Sequence, residues 1–174
     1  MRPDSSSERA LRQCLLAAQR HGAETAQFSG RMLDLPMYDP HVEFRAERAV
    51  ALIEALRAAD AVVVASPGYH GAVSGLVKNA LDYVEDLRDA SRVYLDGTPW
   101  GCISCAYGWQ AAVGTLGQLR TIGHALRAWP TPVGVAINSS GAVWNDDGTI
   151  TDHTVSAQLE LLATQLVKGV VPVD

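Results

Sequence analysis

The sequence predicts a layered α/β domain built on a parallel sheet, and three observations support this. Apolar runs of strand length alternate with segments of helical periodicity. The run Ala61-Val-Val-Val-Ala65 is apolar at every position, as befits an interior strand covered by helices on both faces. The chain has 174 residues with no internal repeat, low-complexity tract or linker, which predicts one domain over residues 1–174.

The elements follow in order. Residues 7–20 are the first helix, with Leu11, Leu15 and Ala18 at helical spacing, and Ser5 with Glu8 three residues later has the form of a capping box. Residues 24–29 are a short strand candidate, and Asp34-Leu-Pro-Met-Tyr-Asp-Pro40 is a loop punctuated by prolines. Residues 47–59 read as a second helix with Val50, Ile53 and Leu56 on one face. After the strand at 61–65, residues 74–88 form a third helix carrying Val77, Leu81, Val84 and Leu87 inward. A strand at 100–106, a helix at 111–128 and a last central strand at 133–137 come next. Residues 142–151 read as a hairpin turning on Asp147-Gly148, and 152–168 as a closing helix with Val155, Leu159, Leu162 and Leu166 as its stripe.

Composition narrows the function. A hydrophobic fraction of 48% with 19% charged residues is that of a globular protein and excludes wholesale disorder. The net charge of −5 argues against a nucleic-acid partner. No apolar run has the length of a membrane span, and the start Met1-Arg-Pro-Asp-Ser-Ser-Ser lacks the apolar core of a secretory signal. Three cysteines, an odd number, do not make a disulfide framework, and a reducing cytoplasm is the expected compartment.

The most informative stretch is Ser66-Pro-Gly-Tyr-His-Gly-Ala-Val-Ser-Gly-Leu-Val-Lys-Asn-Ala-Leu-Asp-Tyr83, directly after the apolar strand. It resembles the NADPH-dependent FMN reductase family, whose flavodoxin-like members carry Ser-Pro-x-Tyr-x-Gly…Ser-x-x-Leu-Lys-Asn-Ala-Leu-Asp here. The resemblance implies that Ser66, Pro67, Gly68, Tyr69, His70 and Gly71 contact FMN, with His70 as candidate proton or hydrogen-bond donor. The location agrees with a general rule: in open α/β sheets, ligands settle outside the carboxyl ends of strands. Pro67, Gly68 and Gly71 let the loop turn its N–H groups toward a flat polar heterocycle, and Tyr69 suits a ring face.

Two further matches extend the likeness. Arg2, Ser5, Ser7 and Leu11 fall on the spacing of the family's phosphate loop, where hydroxyls and free amides at a helix N-terminus suit a phosphate dianion. After the strand at 100–106 the family has Ser-Ala-Gly-Gly, whereas this chain reads Ala106-Tyr107-Gly108-Trp109 and keeps one glycine. Tyr107 and Trp109 there either narrow the site over the flavin or pack against a neighbouring subunit.

The resemblance implies a three-layer sandwich of strand order 2-1-3-4-5 in which the phosphate loop follows the first strand. That loop begins at Arg2, so the natural chain is expected to start upstream, with the first strand missing from these residues. It further implies FMN as cofactor and NADPH or NADH as co-substrate, with a hydride passed by ping-pong exchange to a flavin, quinone or similar small acceptor. Family members are usually homodimers or homotetramers, so the resemblance implies a homo-oligomer, for which the third helix, Tyr83 and the Trp109 region are the contact candidates. A flavodoxin-like electron carrier and a flavin-dependent dehydrogenase of a specialised metabolite are the rival readings.

Other motifs carry no chemistry. Cys102-Ile-Ser-Cys105 mimics a redox pair but lies in a strand, where residues three apart face opposite sides. No second pair of ligands completes a zinc site, and in a calcium-loop register Asn145-Asp-Asp-Gly148 puts Val143 and Thr154 at ligand positions. No metal is expected.

Overall fold

The computed structural model describes residues 4–141, 143–145 and 148–170. In chain order these form α1 (Ser6–Arg20), α2 (Glu47–Ala58), β1 (Val62–Tyr69), β2 (Ala72–Val73), α3 (Gly75–Asp82), β3 (Pro99–Ala106), α4 (Trp109–Ala125), β4 (Trp129–Pro130), β5 (Val135–Asn138) and α5 (His153–Gly169). Short 3-10 turns lie at Gly30–Leu33 and Tyr83–Leu87. Among the described residues no helix is long and apolar enough to cross a membrane.

The centre of the sheet is β3, buried at all eight positions. It pairs in parallel with β1, from Val62 opposite Trp100 to Pro67 opposite Cys105, and on its other edge with β4 and then β5. The strand covered on every side is thus β3. The run at 61–65 is half-buried at Val63, Val64 and Ala65, because β1 pairs with β3 along one edge while only its tip, Gly68 and Tyr69, pairs on the other, with β2.

The expected strand at 133–137 is the second half of an interrupted one. Pro130 and Pro132 bring no N–H to a ladder, so pairing breaks between β4 and β5. The Arg120 guanidinium donates to the Thr131 and Pro132 carbonyls across the break, at 2.9 Å each. Residues 24–29 form no strand, since they lie beside no ladder partner among the described residues. In the expected hairpin at 142–151, Trp144 bridges Ile150 antiparallel and the Gly148 amide donates to Asn145; Ala142, Asp146 and Asp147 lie outside the described residues.

Two apolar clusters sandwich the sheet. One joins α2, α3 and the turn after it to Val62, Trp100, Cys102 and Leu119; the other joins α1 and α5 to Ile103, Cys105, Val135 and Ile137. The α5 stripe and the inward residues of the third helix are buried as expected. Two helices present a rotated face. α1 buries Ser7, Ala10, Cys14, Ala17 and Ala18, a small-residue stripe that admits α5 closely, and leaves Leu11 and Leu15 half-buried. α2 buries Ala49, Leu52 and Ile53, so Val50 is exposed.

The loop at 34–46 is strapped onto the third helix by side chains from both partners. Asn79, buried, accepts from the Tyr38 amide at 2.8 Å and donates to the Leu35 and Pro36 carbonyls. Tyr83, also buried, donates its hydroxyl to Pro36. Burial removes Tyr83 from the surface candidates for a subunit contact. The Arg45 guanidinium makes a paired contact with Asp86, both bonds at 2.7 Å, and lies over the rings of Tyr38 and Tyr83.

Two predictions follow from the strap. Asn79→Leu removes three hydrogen bonds and leaves the buried Leu35 carbonyl unpaired, so it is expected to cost about 1–3 kcal/mol in urea unfolding. Arg45 holds the Asp86 carboxyl below its ordinary value of 3.8, with Tyr38 assisting. A depressed carboxylate stabilises the fold above its unfolded pKa and loses that contribution as pH falls through the folded one. Arg45→Met, which keeps a side chain over the two rings, is therefore expected to lower stability by about 1 kcal/mol at neutral pH. The difference from the parent should shrink steadily once the pH drops below about 4.

Candidate functional site

Parallel pairing brings the carboxyl ends of β1, β3 and β5 to one rim, with Ser66 beside Ser104 and Cys105 beside Ile137. Each candidate segment after these strands is built by local hydrogen bonds. Ser66, fully buried, accepts from the Ser74 amide at 3.0 Å and donates to the Pro67 carbonyl. Ser74 in turn caps α3 by accepting from the Val77 amide. Ser66 thus ties the end of β1 to the start of α3, and its hydroxyl is spent inside the fold.

Beyond Pro67 the chain makes a tight hairpin. Gly68 faces Val73 and Tyr69 faces Ala72, with His70 and Gly71 at the turn, both at positive φ (53° and 82°). Positive φ at both central residues is the I′ geometry whose twist suits a two-residue connection. Gly68 lies so close to α4 that a Cβ there would sit 2.6 Å from Thr115 Oγ1 and 3.2 Å from the Ala111 carbonyl. At the tip, Tyr69 is 61% exposed, and His70 is exposed with no hydrogen-bond partner among the described residues.

The second segment follows β3. Ala106 is buried and its carbonyl accepts from the Gly108 and Ser139 amides, which joins the segments after β3 and β5. Gly108 is the N-cap of α4, with φ of 128° and no side-chain cap. The first-turn amides of α4 therefore lack intrahelical acceptors and point out of the rim. Tyr107 and Trp109 flank Gly108 and are 84% and 60% exposed. Trp109 also walls an open recess beside β5 that reaches Asp152, the N-cap of α5, and Gln158 within that helix.

The third segment is the start of α1. Ser5 is its N-cap and accepts from the Glu8 amide; Ser7 is buried, its hydroxyl 3.3 Å from that of Ser5. The capping box is displaced by one residue, because the Glu8 carboxylate takes the Asp4 amide and the Ser29 hydroxyl. Arg9 reaches the Asn145 carbonyl, so the first turns of α1 lie against the segment that follows β5. Arg2 lies outside the described residues.

The donor set at the rim suits an anionic, planar group. Uncapped amides at a helix N-terminus attract anionic oxygens, glycine-rich turns admit close approach, and exposed rings offer stacking faces. The cysteines play no part. Cys102 packs in one cluster and Cys105 in the other, and burial pushes their thiols up to about 11 and about 12. Cys14 is likewise buried and raised to about 12.

One residue of this region had no sequence signal. Gln118, on α4, donates to the Gly71 carbonyl at 2.6 Å and accepts from the Val73 amide at 3.2 Å. Its partners lie 45 or more positions away, where no local pattern reaches.

The chain is similar in sequence and fold to flavin-dependent reductases and, in fold, to a flavodoxin. The profile of a family described as NADPH-dependent FMN reductase matches residues 1–142. An FMN-dependent NADPH-azoreductase of Staphylococcus aureus is 29% identical over 141 residues, covering 79% of this chain and 71% of the relative. In fold, the chain is similar to FerB, a flavoenzyme NAD(P)H:(acceptor) oxidoreductase from Paracoccus denitrificans, with a TM-score of 0.79 at 20% identity over 98% of this chain and 94% of that one. A flavodoxin of Streptococcus pneumonia TIGR4 follows at 0.58 and 15% identity, covering 94% of this chain and 91% of that one. The fold is flavodoxin-like.

The packing beneath the hairpin can be tested directly. Gly68→Ala drives a methyl into Thr115 and the α4 backbone and is expected to cost about 1–3 kcal/mol in thermal unfolding. Gly75→Ala, where an added Cβ meets nothing within 4 Å, should leave the midpoint unchanged or raise it.

Proposed function

This chain belongs to the NADPH-dependent FMN reductase family of oxidoreductases, and from that premise we propose that it binds FMN at the rim formed by β1, β3 and β5. On this reading the protein is an oxidoreductase whose substrates are NADPH or NADH and a planar small-molecule acceptor. The observation that carries the reading is the meeting of the Gly68–Val73 hairpin with the uncapped start of α4 at adjacent strand ends.

Each segment has a distinct part. The hairpin from Ser66 to Gly71 and the segment from Ala106 to Trp109 border the ring system with backbone amides and small residues. Ser5 and Ser7, at the start of α1, are the phosphate side, and Arg2, outside the described residues, is the charged group expected to join them. When bound, FMN supplies hydride and electron exchange between nicotinamide and acceptor. The protein need only orient the ring, leave one face open and hold hydrogen bonds to its edge. His70, exposed at the turn, is the candidate donor at that face.

Exposure of Tyr69, Tyr107 and Trp109 favours flat, aromatic acceptors such as flavins, quinones and azo compounds. An open face used in turn by two planar molecules fits ping-pong exchange. Residues 1–174 act as one domain in the cytoplasm, a compartment consistent with three interior free thiols. Trp109 and the outer face of α3 are the surfaces for a homodimer or homotetramer.

Anaerobic addition of NADPH, then NADH, to the FMN-loaded protein is expected to bleach the oxidised-flavin band within the mixing time of a manual experiment. Persistent colour with both would replace the reductase reading by that of an electron carrier. With a quinone as acceptor, Tyr107→Ala is expected to raise KM about fivefold while kcat stays within about twofold, the loss of one stacking contact.

A further inference from the structure

We infer that Gln118 is a positioning residue for the flavin: its carboxamide holds the Gly68–Val73 hairpin in the shape that borders the ring. The inference rests on the placement of FMN proposed above. The hairpin has little of its own to hold it. β2 is two residues long, and the ladder with β1 has two residue pairs. A two-stranded ribbon of that size is not stable alone. His70 adds a cost, because a residue with a Cβ at φ 53° is disfavoured relative to glycine.

Gln118 offsets both. Its Nε2 donates to the Gly71 carbonyl and its Oε1 accepts from the Val73 amide. A primary carboxamide presents one acceptor and two donors, so it can satisfy an N–H and a C=O two residues apart as a neighbouring strand would. The helix surface beneath is shaped for this contact. Gly114, one turn before Gln118, leaves the Gly71 carbonyl 3.8 Å from where a Cβ would stand, and Thr115 packs under Gly68. The helix that presents Gly108 and Trp109 at its start therefore also clasps the hairpin, and both borders of the proposed site move as one body.

The test compares Gln118→Leu, Gln118→Glu and Tyr69→Ala in the full chain, by amide hydrogen exchange, by FMN titration and by circular dichroism of the bound flavin. Gln118→Leu is expected to speed exchange of the Val73 amide roughly tenfold. It should also raise the FMN Kd roughly fivefold and change the flavin dichroism, with little effect on the unfolding midpoint. Gln118→Glu keeps an acceptor for the Val73 amide and should retain slow exchange there. A merely structural glutamine would lower the midpoint and leave the flavin dichroism as it was, which would overturn the inference. Unchanged Val73 exchange in Gln118→Leu would overturn it as well. Accelerated exchange with an unchanged Kd in Gln118→Leu, while Tyr69→Ala weakens FMN binding, refutes the positioning role alone. The same result with Tyr69→Ala also neutral refutes the placement of the flavin, and the inference falls with it.

Discussion

The register of α4 on β3 is the constraint on which the rest of this molecule depends. Two residues of β3 that share a face, Trp100 and Ser104, each donate to a carbonyl of α4: the indole to Leu119 at 3.0 Å and the hydroxyl to Ala112 at 2.6 Å. Four strand residues span about 13 Å and seven helix residues about 10 Å, so the two anchors fit a helix that runs back along the strand, the difference lying within the reach of the two side chains. Both donors are buried, and sliding the helix by one turn would strand them. That register decides where Gly108 starts the helix, which residue meets Gly68 and which reaches the hairpin.

From this anchoring follows a division of labour suited to a flavin-dependent oxidoreductase. The interior fixes three strand ends, and the segments beyond them hold backbone donors and exposed rings in place. Hydroxyls that look available in sequence are engaged locally: Ser66 and Ser74 join β1 to α3, and Ser5 caps α1. What the rim offers a ligand is chiefly main chain and aromatic surface. Redox chemistry supplied by a cofactor requires little more of its protein.

Much of the fold was legible because apolar periodicity reports burial of one face. The closing helix and the third helix buried the residues their spacing indicated. Periodicity does not report what lies at a strand's edge. The run at 61–65 is more uniformly apolar than 99–106, yet 99–106 is the covered strand, with neighbours on both sides. α1 was misread for a different reason. Its stripe of Ala10, Cys14 and Ala17 is buried because a small side chain allows close helix approach, a preference that hydrophobicity ranks below Leu11 and Leu15. At the site, the segments at 66–71 and 106–109 were readable from motif and punctuation. Gln118 was not, because its two contacts join a side chain to backbone 45 or more positions away, and neither was the Glu8–Ser29 bond, which joins two side chains 21 positions apart.

The placement of sulfur has a practical corollary. All three thiols lie inside the fold, with ionisation suppressed by burial, so the native surface presents no nucleophilic cysteine. A single cysteine introduced at an exposed position would be the sole accessible target for a maleimide dye or nitroxide on the folded protein. Movements of the hairpin thereby become open to spectroscopy without first stripping the molecule of its native cysteines.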